Sequence, residues 1–331
     1  MDQDDELTTI DIGAAYLRLR EAMRVTRLVP FPSGDERVEL RLKLEHEQET
    51  NAFKARGAWN NLLALTAAER AAGVVACSSG NHGGALAWAA AQHGVRATIF
   101  MTENTYPNKI ERCRAFGAEV VLAPTRRAAE ALCAEAVAAG ARLVHPYKDA
   151  RTIEGAGTLG WELFEQWPEV DVVLIPTGGG GLLAGTSLAL AQRSGGRVST
   201  IGVEPTGARS LALSLAAGEP IVLDEITTVV QGLCPPDTGE LNVRIVREHA
   251  SVTDVDDEAI LAAQAELVAS GHDVEPAGAA GLAAFRAGRT AELLTAERTP
   301  QNPLRIACVV TGANPDPNQL AAVKARVTTS A

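Results

Sequence analysis

Val170-Asp171-Val172-Val173-Leu174-Ile175-Pro176-Thr177-Gly178-Gly179-Gly180-Gly181-Leu182-Leu183 decides the fold class. Its β-branched and aliphatic start reads as a strand over 170–175, the four glycines break that strand, and Leu182 opens an apolar helix. Working outward, the same alternation recurs. Upstream, strands are expected at 38–44, 74–77, 95–101, 120–122 and 143–145. Helices are expected at 54–65, 85–93, 107–116, an alanine-rich stretch ending at 139, and 153–166. Downstream, strands at 198–203 and 304–310 flank helices at 256–269 and 277–286. Strands separated by helices of about 10–15 residues pair in parallel through crossovers, so the expected fold is open α/β with helices on both faces.

The chain has 331 residues, is 46% apolar and carries a net charge of −11. That is core enough to fold without a disulfide staple. The acidic residues are spread through helices, which argues against the basic face that nucleic acid requires. Five cysteines, Cys77, Cys113, Cys133, Cys234 and Cys308, are scattered without paired metal spacing, pointing to a reducing, cytoplasmic setting. The start, Met1-Asp2-Gln3-Asp4-Asp5-Glu6, lacks the basic and apolar regions of a signal peptide. No stretch reaches the roughly 18 apolar residues of a membrane helix.

Three segments carry chemistry. In the first, Thr177 to Gly181, successive glycines let backbone amides converge, and the helix behind them offers its positive end. The glycines alone fit both a phosphate nest and a flexible turn. The segment lacks the Gly-Lys-Ser/Thr ending of a nucleotide loop and does not follow the first strand as a dinucleotide fingerprint does. The second, Ala52-Phe53-Lys54-Ala55-Arg56-Gly57-Ala58, places an amine beside an aromatic ring. A desolvated lysine forms a Schiff base with an aldehyde; an ion pair of Lys54 with Glu45 or Glu49 is the structural alternative. The third, Ser78-Ser79-Gly80-Asn81-His82-Gly83, crowds two hydroxyls, an amide and an imidazole ahead of a helix. It suits a carboxylate or a cofactor oxygen, and equally an ordinary N-cap by Ser79 or Asn81. No Gly-x-Ser-x-Gly elbow is present, and the other histidines show no ligand spacing.

With these residues in view, the chain resembles the fold-type II pyridoxal-phosphate enzymes, most closely the serine/threonine dehydratase and serine racemase group, over most of its length. The resemblance implies two open, mostly parallel twisted-sheet domains of the tryptophan-synthase-β-like kind. Residues 1–74 and 151–331 would form a large cofactor-binding domain, and 75–150 a small mobile substrate-binding domain. It implies pyridoxal 5'-phosphate bound covalently to Lys54, with Phe53 packed on its ring. Asn81 would meet the phenolic oxygen, Gly178, Gly179, Gly180, Gly181 and Leu182 the phosphate, and Thr311 the pyridine nitrogen. Ser78, Ser79, Asn81 and His82 would surround the substrate carboxylate. Lys54 and Ser79 would act as catalytic groups on opposite faces. Glu275-Pro276-Ala277-Gly278-Ala279 and Thr311-Gly312-Ala313-Asn314 match two further family segments.

Several positions depart from the pattern. Asn51 and Ala52 replace the usual glycine and serine or threonine before Phe53. Gln231-Gly232-Leu233-Cys234-Pro235-Pro236 replaces a segment that approaches the active site in relatives. Glu204 and Ala208 match part of a divalent-cation site, but Ser210 stands where an aspartate is expected, which leaves a cation open. With the catalytic domain expected to run to the end of this sequence, the regulatory extension of biosynthetic threonine deaminases is not expected. The implied activity is dehydration and deamination of L-threonine and L-serine to 2-oxobutanoate or pyruvate and ammonia, by a homodimer acting on small β-hydroxy amino acids. A dehydratase for 3-hydroxyaspartate, a serine racemase and a non-catalytic amino-acid sensor are the alternatives. Neither nucleic acid nor membrane is an expected partner.

Overall fold

Strand-forming runs sort into two separate sheets in the computed structural model, which describes residues 10–330. In chain order the strands are β1 Leu28–Phe31, β2 Val38–Lys43, β3 Val74–Cys77, β4 Ala97–Thr102, β5 Glu119–Ala123, β6 Arg142–Leu143, β7 Val172–Pro176, β8 Ser199–Pro205, β9 Ser251–Val255 and β10 Leu304–Val309. The larger sheet runs β1-β2-β10-β7-β8-β9 and is parallel except for the antiparallel β1–β2 pair. The smaller runs β5-β4-β3-β6 and is parallel throughout.

Why these strands read as unbroken apolar runs is visible in β7, where every residue is buried. Leu174 faces one core with Ile306, Cys308, Ile260 and Ala283, from helices Asp257–Ala269 and Pro276–Arg286. Val173 and Ile175 face the opposite core with Leu159, Leu163 and Leu190, from helices Ala150–Gln166 and Gly181–Ser194. Both faces are covered, as a parallel sheet requires. The smaller sheet repeats the scheme, with Ala76 and Ile99 turned toward helix Asn81–Gln92 and Val75 and Phe100 toward helix Arg126–Ala138.

Two kinds of element escape the periodicity. β1 contains Pro30 and β9 is half exposed; both are edge strands, where the apolar signal is weak and proline is tolerated. Helix Asn81–Gln92 begins inside the expected turn. Its Gly83 and Gly84 are poor helix formers, but burial of His82, Gly83 and Gly84 outweighs propensity. Helices Ile12–Leu19, Ala67–Ala72, Ser210–Ala217, Glu240–His249 and Pro317–Ser330 add to those expected. The segments following the carboxyl ends of β3, β7 and β10 carry Ser78, Thr177 and Thr311 to one shared cavity, the usual place for a ligand in an open α/β sheet.

Candidate active site

The cavity has a volume of about 950 Å³ and lies between the elements of the two sheets. Phe53, Lys54, Ser78, Ser79, Asn81, His82, Gly178 to Gly181, Leu182 and Thr311 all line it. Residues read separately along the sequence therefore meet in one place. Glu204, Ala208 and Ser210 lie elsewhere.

Lys54 is the first residue of helix Lys54–Leu63. Its backbone is aimed by Phe53, whose amide donates to the Thr311 carbonyl at 3.1 Å, and by a bridge between Ala52 and Gly312. The preceding Thr50 and Asn51 have φ of 61° and 51°, a left-handed turn that asparagine tolerates better than most residues. That explains Asn51 at a position where glycine is usual. The Lys54 Nζ donates to the Pro146 carbonyl at 2.7 Å and stands 4.7 Å from the Phe53 ring centroid. Removal from water lowers its pKa to about 8. Among the described residues it has no carboxylate partner: Glu45 pairs with Arg56 and Glu49 with Arg24.

The glycine loop is anchored by its carbonyl side. The Gly179 oxygen accepts from Thr238 Oγ1 at 2.9 Å and from Asn242 Nδ2 at 2.6 Å. In a trans peptide the next N–H points the opposite way, so the Gly180 amide faces away from those donors. The amides of Gly178, Gly179 and Gly180 meet no acceptor among the described residues. Gly180 has φ of +86°, and a Cβ on Gly179 would lie 2.3 Å from Tyr147 Cδ2. Tyr147 is itself pinned, its hydroxyl donating to Asp237 Oδ1 at 2.6 Å.

In the polar turn, Ser79 is exposed on the cavity wall and Ser78 Oγ accepts from the Gly80 amide at 3.3 Å. Asn81 Nδ2 donates to Glu275 Oε1 at 2.6 Å, and Asn81 Oδ1 accepts from Asn314 Nδ2 at 2.7 Å. His82 is turned inward: its Nε2 lies 2.8 Å from the Val144 carbonyl. Burial, with the nearby Lys54 charge, holds its pKa down near about 3, so the ring is neutral and Nε2 donates. Arg56, two residues after Lys54, is engaged with Glu45, Glu162 and Thr158 and so is withheld from the cavity. The arginine that does line the cavity is Arg126. Glu275, Asn314, Tyr147 and Arg126 carried no local signal of their role; the first two lie in segments recognised only as matches to relatives.

The Glu204 segment does not fit a divalent cation. Both Glu204 oxygens accept backbone amides, from Leu211 and Ala212 at 2.9 Å each, so the carboxylate caps helix Ser210–Ala217. Burial raises its pKa to about 7. Ala208 offers no side-chain ligand and Ser210 no carboxylate. Among the described residues no three His, Cys, Asp or Glu side chains gather to hold a metal.

A recessed amine of lowered pKa, a row of amides without acceptors and the Thr311 hydroxyl in one cavity fit pyridoxal phosphate. A family model described as pyridoxal-phosphate dependent enzyme matches residues 19–312. The chain belongs to the fold-type II pyridoxal-phosphate enzymes. The enzyme is 35% identical over 310 residues to phenylserine dehydratase of Ralstonia pickettii, covering 88% of this chain and 92% of that protein. It is also 35% identical over 325 residues to L-threonine ammonia-lyase of Thermotoga maritima, covering 95% and 77%. Among solved structures, maize serine racemase superposes with a TM-score of 0.85 at 32% identity, covering 96% of this chain and 97% of that one. Its cofactor is pyridoxal phosphate.

Proposed function

We propose that the enzyme dehydrates and deaminates L-threonine and L-serine, yielding 2-oxobutanoate or pyruvate and ammonia. The observation that carries this reading is the Lys54 amine of depressed pKa sharing a cavity with the Thr311 hydroxyl, where a carboxylate would favour other chemistries. When bound, pyridoxal phosphate supplies the carbonyl that links to amines and the conjugated ring that spreads charge from Cα.

The protein's part follows from its residues. Gly178 to Gly181 hold the phosphate through main-chain amides, aided by the start of helix Gly181–Ser194. Thr311 offers the ring nitrogen a hydroxyl that cannot keep a proton on it, which limits electron withdrawal and suits elimination, where charge departs with the β-substituent. Ser78, Ser79 and the free amides of helix Asn81–Gln92 take the substrate carboxylate; the His82 side chain, tied to Val144, helps shape this turn. Lys54, as a neutral amine, would take the Cα proton as general base. The β-hydroxyl would leave as water by taking up a proton equivalent to the one removed from Cα, and water would return when the nitrogen is hydrolysed off as ammonia. Ser79 stands on the other face by resemblance, and a proton delivered there would give racemisation.

Arg126 favours a second reading, because its cation in the cavity wall suits the extra carboxylate of 3-hydroxyaspartate. Family resemblance supports a homodimer and movement of 75–150 as a unit. Five unpaired cysteines support a reducing, cytoplasmic location. Among the described residues no helix is long and apolar enough to cross a membrane. The test is a panel of both enantiomers of serine, threonine and 3-hydroxyaspartate, assayed separately for oxoacid, ammonia and inversion. L-threonine and L-serine should release oxoacid and ammonia in equal amounts. Inversion without ammonia would make the enzyme a racemase, and turnover of 3-hydroxyaspartate alone would keep the chemistry and replace the substrate.

A further inference from the structure

A chain of polar side chains ties the smaller sheet's helices to the turn that carries Lys54, and none of the roles above uses its outer end. Arg112, on helix Pro107–Ala115, reaches across Gly84 of helix Asn81–Gln92; a Cβ there would lie 3.6 Å from Arg112 Cδ and Nε. One Arg112 nitrogen, Nη1, donates to Asn314 Oδ1, and the other, Nη2, donates to the Thr50 carbonyl. Asn314 Nδ2 donates to the same Thr50 carbonyl at 3.1 Å and to Asn81 Oδ1 at 2.7 Å. Asn81 Nδ2 then donates to Glu275 Oε1 at 2.6 Å.

The donors and acceptors fix a direction. An arginine only donates, so Asn314 must turn its oxygen to Arg112 and its nitrogen to Asn81. Asn81 must in turn present its oxygen to the Asn314 nitrogen, which only donates, and so its own nitrogen to Glu275 Oε1. The Arg112 end therefore sets the orientation of two amides that would otherwise be free to rotate by half a turn. Asn81 spends one N–H on Glu275 and keeps the second. At the other branch, Thr50 and Asn51 hold left-handed backbone with φ of 61° and 51°. A β-branched residue in that region is strained, and the donors on the Thr50 carbonyl hold the turn four residues ahead of Lys54.

We infer that Arg112 is a positioning residue: through Asn314 it orients the Asn81 amide, and through the Thr50 carbonyl it holds the turn that presents Lys54. This rests on the reading that Lys54 carries the cofactor and that Asn81 faces its ring. One guanidinium thus sets both the amine and the amide donor of the site.

The test compares cofactor-loaded parent, Arg112→Met, Arg112→Lys, Asn314→Ala and the Arg112→Met/Asn314→Ala double variant, by absorption spectrum, steady-state kinetics and melting temperature. Arg112→Met keeps the apolar stem and removes the donors. The parent should absorb near ~410–420 nm, as the lysine-bound cofactor does. Arg112→Met should move part of that band to shorter wavelength and lower kcat about tenfold, the scale of one charge-assisted hydrogen bond. KM should change far less. Arg112→Lys should recover part of both effects, and the double variant should lose less than the product of the two single losses, because both residues act on the same two groups, the Asn81 amide and the Thr50 carbonyl. If Arg112→Met does not fold, the Arg112→Lys and Asn314→Ala spectra carry the same comparison. A parent band that stays in place and undiminished in every Arg112 and Asn314 variant, or losses that multiply in the double variant, would overturn the role of Arg112 alone. A parent without the band would overturn the reading of Lys54 instead.

Discussion

Lys54 is legible at the scale of one residue because its chemistry depends on near neighbours: an aromatic ring before it and a helix start beneath it. Its pKa of about 8 is a consequence of desolvation without a compensating anion. Capture of pyridoxal phosphate by the cofactor-stripped protein needs the neutral amine, so its rate should rise with pH through about 8 and level off above it. An ordinary lysine would still be gaining reactivity near ~10.4. The rate of appearance of the lysine-bound absorption band checks this, and a profile still climbing above about pH 10 would contradict the desolvated amine. His82 stays neutral well below the working range, so it adds no limb of its own to that profile. Its inward orientation could not be read from the polar turn, because the Val144 carbonyl that claims it lies 62 residues away.

At the scale of the element, the glycine loop is a strand end, a nest and a helix start in sequence, and each part was legible locally. What decides between a nest and a flexible turn is what stands behind it. Thr238 and Asn242 hold the Gly179 carbonyl, and Tyr147 closes the space a side chain would need. Gly179→Ala would drive its methyl to 2.3 Å from the Tyr147 ring. That ring cannot yield without breaking its bond to Asp237. Cofactor affinity should fall at least about tenfold, the cost of about one misplaced charge-assisted contact to the phosphate. Titration of the stripped variant with pyridoxal phosphate, followed by absorbance, measures it; an unchanged affinity would remove the phosphate from this loop.

For the whole molecule, a buried charge cluster beneath the site ties distant elements together. Arg56 donates from Nε and Nη2 to both oxygens of Glu45, at 2.7 and 2.8 Å, and from Nη2 to Glu162 at 2.9 Å. Lys43 donates to Glu162 and, at 2.8 Å, to the Thr26 carbonyl and to Gln166. The cluster joins the end of β2, helix Lys54–Leu63 and helix Ala150–Gln166. Arg56→Met would leave two carboxylates buried with one cation between them. It should destabilise the protein by about 3–5 kcal/mol, the usual consequence of breaking a buried pair from one side. Urea denaturation at neutral pH is the measurement, and a loss below about 1 kcal/mol would mean that apolar packing alone holds the helix that starts at Lys54.

Through their likeness to a known family, three segments of the sequence implied the cofactor; the α/β class, the parallel pairing of the strands and the segments themselves the sequence determined directly. These depend on hydrophobic period, on glycine conformation and on the chemistry of adjacent side chains, all of which are local. Only the tertiary structure decided which distant groups complete the site. Glu275 reaches Asn81 across 194 positions and Arg112 reaches Asn314 across 202. It also withdrew Arg56, between Ala55 and Gly57, into a buried cluster and put Arg126, between Thr125 and Arg127, in the cavity wall. A polar side chain's partner is set by where two sheets bring their helices together. Burial makes that partner obligatory, since a buried donor or charge without one is costly, but nothing in the local sequence says which distant group will meet it.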